Sequence, residues 1–269
     1  MRATLLSSSA LLLSATAWAQ NAPVSYELSF PNAVHHEAEI AATFREIGEG
    51  PLTVRMSRAS PGRYALHEFA KNVYGLSAVD AAGEPLAVSQ EGPYSWTVAD
   101  HDGAVTVSYT LYADRADGTY SQIDLTHAHL NMPATLIWAE GMADRPVEIS
   151  FEPASADWQA ATQLVPAGAA MQFTAPDLQY LMDSPTELSD FDLREWTIGE
   201  GENAQTIRLA IHHAGRKTPT PMPRWQRRWL MSRSPFSERC RASIMAPTPS
   251  SPIICPTSAA TAWSTATPP

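Results

Sequence analysis

A chain of 269 residues with a formal charge of −10, 44% hydrophobic residues and two cysteines can bury an ordinary core and has no disulfide framework to rely on. The charge is unevenly divided: residues 214–269 carry eight basic side chains against the single acid Glu238, a net of +7, which leaves −17 on the first 213. That acidic part excludes nucleic acid and an anionic membrane surface as its partners, and Cys240 and Cys255 come too late in the chain to give it a thiolate nucleophile.

The N-terminus, "MRATLLSSSALLLSATAWAQ", has a basic residue at Arg2, a short apolar stretch and a small-x-small site at Ala17-Trp18-Ala19. Residues 1–19 are expected to be a signal peptide cleaved after Ala19, so the protein is expected in the periplasm or secreted. No later stretch approaches 18 uninterrupted apolar residues, and no membrane anchor is expected.

Strand periodicity begins at once, with Val24, Tyr26, Leu28 and Phe30 on one face. The next stretch, "AVHHEAEIAATF", starts like a zincin motif at His36-Glu37, but the fifth position, where the second histidine of His-Glu-x-x-His belongs, is Ile40. Ala38, Ile40, Ala42 and Phe44 alternate with polar residues, so the segment reads as a half-buried strand with a solvated histidine face. Leu52, Val54 and Met56 continue the pattern. Pro61-Gly62 demands a turn, after which Arg63, Tyr64, His67 and Glu68 cluster; Tyr64 and Phe69 are expected to plug the core. Leu66 to Leu76 fits a short helix ending at Gly75, and Ala175 to Pro185 fits another. Further strands are expected at Val105 to Leu111, Leu136 to Trp138, Val147 to Phe151 and Ile207 to Ile211, with turns at Asp80–Gly83, Asp100–Gly103 and Asp117-Gly118. The fold class that follows is all-β, an antiparallel sandwich with one or two short helices over residues 20–213. Val24, Leu28, Ile40, Phe44, Val105, Val107, Ile149 and Ile207 are its expected core.

Candidate chemistry is sparse. His127 and His129 share a strand face with Asp124 and Asp117 near in sequence, but two histidines without a clear third ligand do not make a metal site. His212 and His213 point to opposite faces of a strand. Neither a G-x-S-x-G elbow nor a nucleotide-binding glycine loop is present. No catalytic, cofactor-binding or metal residue is therefore expected in this chain. From about Gly215 the periodicity ends, and ten of the 22 prolines fall between Pro219 and Pro269, so residues 214–269 are expected to be disordered.

Five stretches, "SYELSFPNAVHHEAEIAATF", "ASPGRYALHEFAKNVYGLSAVDAAGEPLAV", "YSWTV", "VSYTLYADRADGTYSQIDLTHAHLNMPATLIW" and "APDLQYLMDSPTEL", together resemble the N-terminal domain of the glycyl aminopeptidase family of zinc metallopeptidases. The resemblance implies a β-rich domain that precedes a thermolysin-like catalytic domain carrying His-Glu-x-x-His and a downstream Glu, often followed by a PDZ domain. Zinc would then belong to the missing catalytic domain, and a peptide would bind at the cleft between the two. The likeness stops just after "HHAG". Ser243-Ile244-Met245-Ala246 can be encoded TCG ATT ATG GCA, which read one base earlier after a T gives Phe-Asp-Tyr-Gly, and the residues through Thr267 can be decoded with the same offset into a string resembling the start of that catalytic domain. The first expectation is accordingly a truncated, inactive member with an out-of-frame tail at 214–269. The alternative is a stand-alone exported module that binds peptide or glycan on a sheet face or on the loop at Pro61 to Tyr64.

Overall fold

The computed structural model describes residues 21–198, 201, 204–213 and 260–264. The expected signal peptide and most of the expected tail lie outside the described residues. In chain order the strands begin with β1 (Val24–Ser29), β2 (Glu37–Phe44), β3 (Leu52–Met56), β4 (Val73–Val79), β5 (Pro85–Leu86), β6 (Val88–Gly92), β7 (Ser95–Val98) and β8 (Val105–Tyr112). They continue with β9 (Gln122–Ile123), β10 (His127–Leu130), β11 (Ile137–Ala139), β12 (Val147–Glu152), β13 (Gln159–Ala161), β14 (Val165–Pro166) and β15 (Gln172–Ala175). The last four are β16 (Thr186–Ser189), β17 (Asp192–Ile198), β18 (Gln205–Ile211) and β19 (Ala260–Ser264). Two short helices, α1 (Met132–Thr135) and α2 (Leu178–Met182), interrupt them.

An eight-stranded sheet, ordered β14-β15-β12-β1-β2-β8-β4-β5, forms the main layer. Its middle is the β2–β8 pair, in register from Glu37 opposite Tyr112 to Phe44 opposite Val105. Alternation sends Ala38, Ile40, Ala42 and Phe44 inward from one strand and Val105, Val107, Tyr109 and Leu111 from the other, all buried. Each large side chain so covered contributes about 1.5–3 kcal/mol, which fixes the register because a one-residue slip would turn the whole set to solvent. A four-stranded sheet, β11-β3-β7-β6, supplies the opposing layer. Two buried tyrosines join them: Tyr26 Oη on β1 donates to the Ile137 carbonyl and Tyr109 Oη on β8 to the Thr135 carbonyl, each at 2.8 Å. Tyr109 Oη also accepts from the Ile137 N–H at 3.2 Å. Burial pushes both phenols well above their ordinary titration range, so they remain O–H donors.

The sandwich reading holds, with four corrections. The β1–β12 pair is parallel, Val24 opposite Val147 through Ser29 opposite Glu152, because the long excursion between them provides the crossover that parallel pairing needs. The helix expected over Leu66 to Leu76 is only a 3-10 turn, Phe69–Asn72, running directly into β4. Ile207 is half-buried rather than in the core. Ala260–Ser264, in the expected disordered tail, pairs antiparallel with β18, Ala260 opposite Ile211 and Ser264 opposite Ile207. That segment is free of proline, and an edge strand needs only backbone N–H and C=O groups to add to a ladder.

The expected turns are built as their residues predict. Asp80 Oδ1 accepts from the N–H groups of Ala82 and Glu84, each at 2.8 Å, while Gly83 takes φ 83°.

Candidate functional site

The histidines nearest a zincin pattern do not assemble a site. His36 ends a 3-10 turn at φ 63°, its Nδ1 lying 2.6 Å from the Ile123 carbonyl, and Glu37 is engaged by the Asn32 side-chain amide. His67-Glu68 begins the same way, but Lys71 stands where a second histidine would be, and the His67 ring stacks on Phe69 with centroids 5.0 Å apart. Neither segment fits a catalytic zinc. The turn at Pro61-Gly62 also differs from expectation: Phe69 is buried, whereas Tyr64 is fully exposed and Leu66 largely so. The base of this loop is fixed by Arg63 N–H donating to the Ser60 carbonyl at 3.0 Å and by Arg63 Nη2 reaching the Asp117 carbonyl at 3.4 Å.

A different cluster does assemble. β10 alternates so that Ala128 and Leu130 enter the core and His127 and His129 face the other way. It pairs with β16, placing His127 opposite Ser189 and His129 opposite Glu187. Glu187 is the centre: its Oε1 lies 3.2 Å from His127 Nδ1 and 3.9 Å from His212 Nδ1, and its Oε2 lies 3.4 Å from His129 Nδ1. His212, which follows β18, stacks on His127 with centroids 4.2 Å apart and an interplanar angle of 20°. Asp124 Oδ2 sits 3.7 Å from His127 Nε2, while Asp124 Oδ1 accepts from Thr126 N–H and Oγ1 at 2.6 Å and from His127 N–H at 3.0 Å. Ser189, on the same face of β16 as Glu187, is fully buried, and its Oγ has no hydrogen-bond partner among the described residues.

Electrostatics explains why a carboxylate tolerates this burial. Desolvation opposes its charge, but the hydrogen bonds from His127 and His129 outweigh it and hold the Glu187 carboxyl at about 2. Burial likewise opposes a His127 cation, and the Glu187 hydrogen bond with the charges of Glu187 and Asp124 raises it instead. His212 is lowered, first by burial and then by the neighbouring His127. The cluster is thus a hydrogen-bonded His127–Glu187 pair with the less basic His212 ring stacked on it. Among the described residues, His127, Glu187 and His212 are the one set of three metal-capable side chains whose ligand atoms all lie within 4.8 Å of one another. His127 and His129 were visible in the sequence as a pair, and the structure brings them together; Asp117 takes no part, since its Oδ1 accepts from Thr119 and Tyr120 N–H at 2.9 and 3.0 Å. Of the adjacent pair, His212 joins the cluster and His213 instead approaches Asp192 Oδ2 at 3.4 Å. Glu187 was missed: nothing in "SPTELSD" marks it except a charge within a strand.

Residues 25–190 match the family described as the Peptidase M61 N-terminal domain. Among solved structures, an aminopeptidase N family protein from Idiomarina loihiensis aligns over 66% of this chain and 31% of its own, at 23% identity and a TM-score of 0.61. An M1 zinc metallopeptidase from Deinococcus radiodurans aligns over 77% of this chain and 51% of its own, at 13% identity and a TM-score of 0.39. The first likeness is one of fold, and this chain spans about a third of that protein's length. No curated protein matches the chain.

Proposed function

With more than half of its sequence matched, the chain belongs to the peptidase M61 N-terminal domain family, and from that membership we propose that its β domain is the non-catalytic N-terminal part of an exported aminopeptidase-like zinc enzyme. One observation carries the proposal: the match covers residues 25–190, and no His-Glu-x-x-His occurs anywhere in the sequence. In this reading a separate thermolysin-like domain supplies the zinc that activates the hydrolytic water. The β domain's part is to give that domain a rigid neighbour and to form one wall of a peptide cleft. The loop carrying Tyr64 and Leu66 is our candidate for that wall, because large apolar side chains are exposed there on an anchored base. Export rests on residues 1–19, and the tail after Gly215 is read as an out-of-frame translation of the catalytic domain's start.

Two measurements test this. The purified chain, freed of residues 1–19, should hydrolyse a glycyl-anilide no faster than buffer, and chelator-sensitive turnover would refute the non-catalytic role. Resequencing the locus around the codons for Gly215 and Arg216 should reveal a single-base offset that restores a frame encoding His-Glu-x-x-His. An unshifted frame through Thr267 would remove the frameshift reading.

A further inference from the structure

We propose that His127, Glu187 and His212 form a binding site for a divalent transition-metal ion of the zinc class, which clamps the end of β18 onto the β10–β16 pair. The ligand types suit such an ion: imidazole nitrogens with one carboxylate oxygen are the usual N/O donors to zinc. The spacing suits it as well. Bonds of about 2.0–2.2 Å at tetrahedral angles put ligand atoms roughly 3.3 Å apart. Glu187 Oε1 lies 3.2 Å from His127 Nδ1 and 3.9 Å from His212 Nδ1.

The surroundings match what a metal-bound histidine requires. If His127 binds through Nδ1, its other ring nitrogen faces the Asp124 carboxylate at 3.7 Å, and Asp124 is itself held by Thr126. That carboxylate–histidine order fixes the ring and its tautomer. His129 Nδ1, at 3.4 Å from Oε2, holds the carboxylate so that Oε1 is turned to the other two imidazoles. The carboxylates of Glu187 and Asp124 both face His127, at 3.2 and 3.7 Å, so two acidic side chains and, among the described residues, no lysine or arginine stand at the position offered to a cation. The buried, unpartnered Ser189 Oγ on the same strand face offers a hydrogen bond to a water completing the metal's coordination. The ion takes the place of the proton that His127 shares with Glu187. An imidazole binds a metal in its own ring plane, and the His127 and His212 rings are stacked at 4.2 Å and 20°, so His212 must swing to share the ion; it lies just beyond β18, outside the ladder.

Hydrolytic zinc sites use similar ligands, but they also need a carboxylate free to accept a proton from the bound water. Asp124 is committed to Thr126 and His127, and Glu187 is itself a ligand. The role assigned here is therefore structural.

The test uses the chain from Gln20 onward with C240S and C255S, so that thiols cannot compete, stripped of metal and titrated with Zn2+ and Co2+. One equivalent should bind, Co2+ should show the intense visible bands of a four-coordinate ion, and the melting temperature should rise with metal. H212A should abolish the saturable step while circular dichroism stays that of a folded β protein. E187Q should do the same, and D124N should weaken binding about 10- to 100-fold. H101A, in a loop far from these residues in sequence, should bind as the parent does. Failure of the folded parent to bind one equivalent overturns the proposal, and so does binding that survives H212A. Since H212A alters a half-buried residue beyond the strand's end, it decides the matter even if E187Q does not fold.

Discussion

The eight-stranded sheet and the three-stranded sheet β17-β18-β19 are both built from antiparallel ladders, yet they are held by different forces. In the first, β2 and β8 each bury every second side chain almost completely. In the second, β17 has no buried residue: Leu193 is exposed, Trp196 is half-buried, and among the residues of β18 whose burial is described only Leu209 and Ala210 are buried. A core-facing row specifies register through the cost of misplacing it, whereas a sheet with little burial depends on backbone pairing and a few surface contacts. The small sheet is therefore expected to open first, and His212, stacked on His127, is one of its contacts with the β10–β16 pair.

Three substitutions sharpen or break that contrast. The largest effect is expected from F44A, which empties a fully buried ring site on β2 and should cost about 3–5 kcal/mol in urea unfolding. A cost below about 1 kcal/mol would mean that the main sheet is not the stability core. Next, Y109F removes a hydroxyl that donates to the Thr135 carbonyl and accepts from the Ile137 N–H, leaving both buried groups short of a partner. A loss of about 1–3 kcal/mol is expected, read as a lower denaturation midpoint with an unchanged slope. The smallest effect belongs to the small sheet. Arg208 Nε and Glu195 Oε1 are 2.5 Å apart, but both side chains are about half exposed, at 48% and 47%. R208A should therefore change stability by no more than about 1 kcal/mol. Amide exchange should be fastest in β17 and β18 and slowest in β2 and β8; equal protection would erase the distinction.

Much of the main sheet was legible because its causes are local. The alternation of Val24, Tyr26, Leu28 and Phe30, or of Val105, Val107, Tyr109 and Leu111, is produced by the strand itself. The 66–76 segment misled because Leu66, Phe69, Ala70 and Val73 satisfy a helical period, while long-range pairing with β8 claims Val73–Val79. That pairing shifts register between Tyr74 and Ser77, across Gly75 at φ 60°, the residue that looked like a helix stop. The histidine cluster was half legible. The two-residue spacing of His127 and His129 shows in the sequence, but Glu187 is 60 residues from His127, and only strand pairing brings it there. His212 was read as belonging to a strand, and its partners follow from how that strand packs, which no local pattern encodes.

The parallel pair β1–β12 has a consequence for how the molecule reaches its fold. β1 finds β2 at once, since their register closes a short loop, but its other edge must wait for Val147–Glu152. A chain emerging from the ribosome N-terminus first thus carries an open, apolar-faced strand edge through more than a hundred residues of synthesis. Closing so long a loop is expected to be slower than closing the β1–β2 hairpin, which then serves as its template. Any nascent fragment that stops before β12 keeps that edge available to another copy of itself, so the interval before Val147 is when the molecule is most exposed to self-association.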